Sequence, residues 1–151
     1  MPEFRFHHLE RRKIEQALPE LLEATLDADK RVVVQCASTE EVDSLNERLW
    51  TYSDESFLPH GSKSDGDPET QPVFLTDGDD NPNGAVVRVL LSGVDASAFL
   101  TAAYESVLIL FDGRDPDAVA KSREQWVKIR AAGAAQSYWR EGDDGGWTKV
   151  R

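Results

Sequence analysis

At 151 residues with 40% apolar content, the chain has the size of one domain that buries its own core, and its lone cysteine, Cys36, excludes an internal disulfide or a cysteine-cluster zinc site. The formal net charge of -11, from 28 acidic against 17 basic residues, argues against nucleic acid as the main direct partner, because affinity for phosphates grows with the positive charge presented. No run approaches the roughly 18 apolar residues that span a bilayer, and the cysteine usage points to a reducing compartment, the cytoplasm.

"EFRFHH" alternates Phe4 and Phe6 with Arg5 and His7, the period-two pattern of a half-buried strand. Ile14, Ala17, Leu18, Leu21, Leu22 and Leu26 then recur at helical spacing, with Pro19 expected to kink that helix or mark a late start. "RVVVQCA" reads as a strand buried on both faces, and Ser38 with Glu41 as a capping box ahead of a helix carrying Val42, Leu45 and Leu49. Residues 61–72, "GSKSDGDPETQP", read as a solvated loop. "PVFLT" and "AVVRVLL" are strands joined by "DGDDNPNG", which suits an antiparallel hairpin. A short helix near 95–102, the strand "SVLILF" and a helix capped by Asp115, Pro116 and Gly133 follow, and "SYWREGDDGGWTKV" reads as a terminal hairpin. This alternation predicts one α/β domain over residues 1–151, a layered sandwich with a mixed central sheet flanked by helices.

Chemical motifs are sparse. The turn after "VVVQC" is "ASTEE", without the glycines that cradle phosphate, so no nucleotide cofactor is expected. "DGDDNPNG" has Pro82 and Arg88 where a calcium loop needs glycine and glutamate. His7 and His8 are strand neighbours and point to opposite faces, so they do not share a metal ion. Cys36 reads as an inert thiol in an apolar strand. Asp112 and Asp115 of "FDGRDPD" form the carboxylate pair that a small hydrolase would use, although Asp115 is already accounted for by capping.

The helix "KSREQWVKIR" carries more. At about 100° per residue, Val119, Arg123, Trp126, Val127 and Arg130 fall in one stripe, with Lys121 and Lys128 on the opposite side. Two guanidinium groups around an apolar centre suit a short peptide with carboxylates and an apolar end. The same helix, residues 121–130, is also where a direct single-stranded nucleic-acid binder would make contact. A second cluster, "LWTYSDESFLPHG", places Trp50, Tyr52, Phe57, Leu58 and Pro59 near a helix end, the residue types that anchor protein interfaces.

Taken in order, "FRFHHL", "RVVVQCAS", "LW…SFLPHG", "PVFLT", "SREQWVKIRAAG" and a terminal "GWTKV" resemble the chi subunit family of bacterial DNA polymerase III across nearly the whole chain. The resemblance implies a non-catalytic accessory subunit of the clamp-loader assembly, with an architecture like a nucleotide-binding fold that lacks a phosphate loop and binds no nucleotide. It implies a link to single-stranded DNA-binding protein through that protein's acidic C-terminal tail. Arg123 and Arg130 would contact the tail's carboxylates, and Trp126 would line an apolar pocket. Val127 departs from the pattern, since a basic residue follows the aromatic in better-known members, and Lys128 or Arg114 would compensate. Trp50, Phe57, Pro59 and His60 match the segment that holds the psi subunit, or a replacement such as a helicase, and DNA would be reached only indirectly.

Overall fold

The computed structural model describes residues 1–52 and 58–151. Among them are strands β1 (Glu3–Leu9), β2 (Val32–Gln35), β3 (His60–Ser62), β4 (Val73–Thr76), β5 (Val87–Leu90), β6 (Ser106–Asp112), β7 (Gln136–Glu141) and β8 (Trp147–Lys149), with helices α1 (Ile14–Asp27), α2 (Thr39–Thr51) and α3 (Pro116–Ala131). The strands join one mixed sheet in the order β3-β4-β2-β5-β6-β1-β7-β8. Every pair is parallel except β7 with β8.

Two cores sandwich this sheet. On one face Leu18 and Leu22 of α1 and Val42, Leu45 and Leu49 of α2 pack on Val32, Val34, Val73 and Leu110. On the other face Ile129 of α3 and Phe99 of a 3₁₀ turn (Ala96–Phe99) pack on Phe4, Phe6, Val107 and Ile109. A parallel strand covered on both faces loses the alternation of polar and apolar residues, and β4 and β5 are buried at every position.

That lost alternation corrects the expected hairpin. The strands β4 and β5 do not pair with each other; both run parallel to β2, which lies between them, with Val32 opposite Val73 on one side and Val87 on the other. The polar connector returns the chain from one end of the sheet to the other. Arg88, fully buried on β5, holds it there by donating to the carbonyls of Gly78 at 2.6 Å and Asp80 at 3.0 Å, to Tyr104 Oη at 2.9 Å and to Gln35 Oε1 at 2.6 Å.

Other expectations are refined. The first strand is not half-exposed: β1 lies between β6 and β7, and His7 is buried against Trp139 and Trp147. The helix α1 runs continuously through Pro19. The capping box at α2 is split, since Ser38 Oγ accepts from Glu41 N while Glu41 Oε1 accepts from Ala37 N. The stretch read as a solvated loop contains Gly61 and Ser62 of β3 and two 3₁₀ turns, Lys63–Asp65 and Pro68–Thr70. The helix α3 starts and stops where the sequence places it: Asp115 accepts from Asp117 N at 3.0 Å, Pro116 opens the first turn, and Gly133 takes the left-handed conformation at φ 78° that ends the helix.

Candidate functional site

In parallel sheets a crevice opens where two neighbouring strands send their connections to opposite faces. Here those strands are β1, which leads into α1 on one face, and β6, which leads into α3 on the other. Outside their C-terminal ends, between α3 and β7, lies a cleft of about 420 Å³.

The wall from α3 presents Val119, Arg123, Trp126 and Val127. The seam of α3 that faces the core is Ser122, Gln125 and Ile129, one position round from the predicted stripe. Trp126 therefore sits at the border, half-buried, with its ring edge-on to Phe6 at 5.2 Å and to Tyr138 at 6.0 Å. Arg123 is exposed beside it, and Val127, at 64% exposure, is an apolar side chain left largely in water. Arg130 is exposed two turns further along and is not among the residues that line the cleft. Among the described residues, neither Arg123 nor Arg130 has a carboxylate within ion-pair distance.

The opposite wall comes from residues that helical periodicity does not reach. His8 at the end of β1, Tyr138 and Arg140 on β7, and Val150 and Arg151 beyond β8 form it, with Phe111 of β6 also in the lining. His8 Nδ1 hydrogen-bonds Tyr138 Oη, its Nε2 lies 3.8 Å from Glu10, and Arg140 Nε is 3.3 Å from the same carboxylate. Gly113 makes room for that imidazole, because a Cβ there would overlap the His8 ring. Burial, then the Arg140 charge, lowers His8 below its ordinary value, with Glu10 and Asp112 acting the other way. Burial raises Tyr138, against the pull of Arg140 and Arg123.

The cations expected to compensate for Val127 lie elsewhere. Arg114 is held by Asp112 and by the carbonyls of Arg11 and Arg12. Lys128 faces Asp95, and Lys121 lies over Gly93, both away from the cleft. The cleft is lined by Arg140 and Arg151 and by neither Arg114 nor Lys128.

At the second cluster, Trp50 is half-exposed and its ring lies tilted against His60, with ring centroids 4.2 Å apart and 39° between the planes. His60 itself is buried, its ring nitrogens facing the carbonyls of Leu58 at 2.7 Å and Asn46 at 3.0 Å, and Pro59 is half-buried. The surface is thus presented by Trp50 and Pro59, with His60 as the floor beneath the indole. Phe57 lies outside the described residues.

Carboxylate chemistry finds no support. Asp115 is engaged in capping, and Asp112, hydrogen-bonded by Arg114, is held below its usual range, the reverse of what a general acid needs. Burial, with Glu41 nearby, pushes the Cys36 thiol up to about 12, far from a reactive thiolate. His7 and His8 face opposite sides of the sheet, as expected for strand neighbours.

Residues 1–137 match the family model described as "DNA polymerase III chi subunit, HolC". The chain belongs to the DNA polymerase III chi subunit family. A similar protein is the "Probable DNA polymerase III subunit chi" of Rickettsia prowazekii (strain Madrid E), 35% identical over 100 residues, which are 66% of this chain and 61% of that relative. The alignment thus spans less than two thirds of the relative's length. The chi subunit is a non-catalytic accessory subunit of DNA polymerase III. Among those residues no helix is long and apolar enough to cross a membrane. The chi match ends at residue 137, so Tyr138, Arg140, Val150 and Arg151 of the cleft lie beyond it.

Proposed function

We propose that the chain is an accessory subunit of the replicase clamp-loader assembly that binds the acidic C-terminal tail of single-stranded DNA-binding protein. Arg123 and Arg130 engage the tail's carboxylates, while Trp126 and Val127 receive its apolar tip. The observation that supports this reading is the gathering of Arg123, Arg140 and Arg151 around the apolar surface of Trp126, Val119 and Val150, in a chain whose net charge is -11. An acidic body repels nucleic acid, whereas a local basic cleft accepts an acidic peptide, so the chain reaches DNA through the protein that coats it. A second surface, formed by Trp50, Pro59 and His60 at the β3 edge of the sheet together with Phe57 of the same sequence segment, serves a psi-type subunit or a replacement such as a helicase.

Titration with an acidic peptide ending in phenylalanine tests the tail reading. Affinity should fall as salt rises, and the Arg123→Ala, Arg130→Ala double variant should lose most of it. Unchanged affinity in the double variant removes the assignment. The runner-up, direct binding to single strands through residues 121–130, predicts that naked single-stranded DNA binds at physiological salt and competes with the peptide.

A further inference from the structure

Of the three arginines that line the cleft, Arg123, Arg140 and Arg151, one is already occupied. Arg140 Nε lies 3.3 Å from Glu10 Oε1, whereas among the described residues neither Arg123 nor Arg151 has an aspartate or glutamate within ion-pair distance. No aspartate or glutamate lines the cleft itself, so Glu10 acts on it from the rim, through its pair with Arg140. We propose that Glu10 sets the affinity of the cleft: its carboxylate holds Arg140 in the free protein as an intramolecular rival of the acidic peptide, which gains Arg140 only by displacing it. This rests on the acidic-peptide reading above and adds to it a residue that limits how tightly the site binds.

The turn that follows β1 places Glu10 for this role. Its backbone N–H donates to Glu141 Oε1 at 3.0 Å, which ties the start of the turn to the end of β7. Its side chain folds back over the strand end, where the same Oε1 that faces Arg140 is 3.8 Å from His8 Nε2. Arg140 is held from the other side, its backbone in register between His8 of β1 and Thr148 of β8. Fixed backbone therefore brings the two charges together, and only side-chain torsions need change to part them. Both side chains are about half exposed, Arg140 at 50% and Glu10 at 43%. Water screens such a pair and ordering two long side chains costs entropy, so it is weak enough for a ligand to break.

Displacement is an exchange. When a peptide carboxylate replaces Glu10 at Arg140, one guanidinium–carboxylate pair forms and one is lost, so Arg140 adds little net affinity while Glu10 is present. Arg123 and Arg151 have no such rival, and a carboxylate that reaches either of them forms a pair without breaking one. The displaced Glu10 also leaves a negative charge at the rim, and like charges closer than a Debye length of about 10 Å oppose the peptide. Binding strength thus depends chiefly on the two unopposed arginines and the apolar surface between the walls, with the third arginine held in check by the chain's own carboxylate.

The probe is an acidic peptide ending in phenylalanine, titrated at neutral pH at low and at physiological salt. Glu10→Gln frees Arg140 and should tighten binding about two- to fivefold, the worth of one exposed ion pair, with affinity falling more steeply as salt rises. A gain of affinity cannot come from misfolding, and the bond to Glu141, made by the backbone N–H, survives the substitution. Two controls separate the pair from charge in general. Asp143→Asn removes the same charge from a carboxylate that pairs with Arg11, outside the cleft lining, and should leave affinity unchanged. In an Arg140→Ala background Glu10→Gln should have no effect, and Arg140→Ala should cost more affinity in the Glu10→Gln protein than in the wild type. Unchanged or weaker binding by Glu10→Gln overturns the proposal, as does a gain that persists without Arg140 or that Asp143→Asn reproduces; each of these leaves an Arg123-dependent peptide site in place. Failure of both the wild type and Glu10→Gln to bind the peptide at low salt overturns the acidic-peptide reading and the proposal together.

Discussion

The Arg12 guanidinium donates to the buried Glu141 carboxylate at 2.5 Å, tying the segment after β1 to the last residue of β7. The other Glu141 oxygen accepts from the backbone N–H groups of Glu10, Arg11 and Arg12 at 2.7 to 3.2 Å. This carboxylate adds to the β1–β7 backbone pairing in holding the terminal hairpin, which carries Tyr138 and Arg140 of the cleft.

Burial by itself would raise the Glu141 value, but the bonds from the Arg12 side chain and from backbone N–H groups outweigh it and hold the carboxyl at about 2, against an ordinary 4.5. A carboxyl lowered on folding stabilises above its unfolded value and loses that contribution as pH falls through its folded value. Stability should therefore decline from about pH 4.5 toward about pH 2 on account of this group. Glu141→Gln should cost about 3 kcal/mol at neutral pH and flatten that acid limb, measured by urea unfolding at several pH values.

His7 presents the opposite case. Burial, then the Arg5 charge, lowers it to about 3, and neither ring nitrogen has a hydrogen-bond partner among the described residues. A histidine lowered on folding must stay neutral in the native state, so stability is lost as pH falls below 6.5 toward 3. His7→Phe, of similar shape between Trp139 and Trp147, should raise stability by about 1 kcal/mol at pH 7 and by more at pH 5. Melting curves at the two pH values check it, and a lower melting temperature at both contradicts it.

Gly113→Ala would drive a methyl into the His8 ring and against the Leu9 carbonyl, which now accepts from Gly113 N at 2.7 Å. The expected cost is about 2 kcal/mol, with peptide affinity lowered because His8 is pushed away from Tyr138. Asp115→Ala should cost about 1 kcal/mol, the worth of an N-cap, and leave peptide affinity unchanged. A large affinity loss in that variant would mean that Asp115 does more than cap α3.

The α3 wall was legible in the sequence because its signals are local. Asp115, Pro116 and Gly133 mark both ends of α3, and helical spacing puts Arg123, Trp126 and Val127 together. The same spacing included Arg130, which the cleft leaves out, and placed the core seam one residue off, because Ser122 and Gln125 are polar yet buried. Gln125 earns its place by accepting from Ala96 N at 2.9 Å, a partner no periodicity announces. The β7 wall was not legible, since His8 and Tyr138 meet only through the parallel pairing of strands 130 residues apart. The hairpin misreading has a similar origin: apolar strands covered on both faces do not declare their neighbours, and β2 lies between β4 and β5 although it precedes both in the chain.

The strand order also has a mechanical meaning. Trp50 stands over β3 at one edge of the sheet, while the cleft opens beside β1, five strand-to-strand steps away through β4, β2, β5 and β6. At about 4.8 Å per step this separates the two surfaces by roughly 25 Å, enough for each to be occupied without the other partner's interference. A pull between them runs across the strands, along the backbone hydrogen bonds rather than along the chain. Such a load parts the bonds of one strand pair in succession instead of shearing them all at once, so under tension the sheet would yield like a seam unzipping.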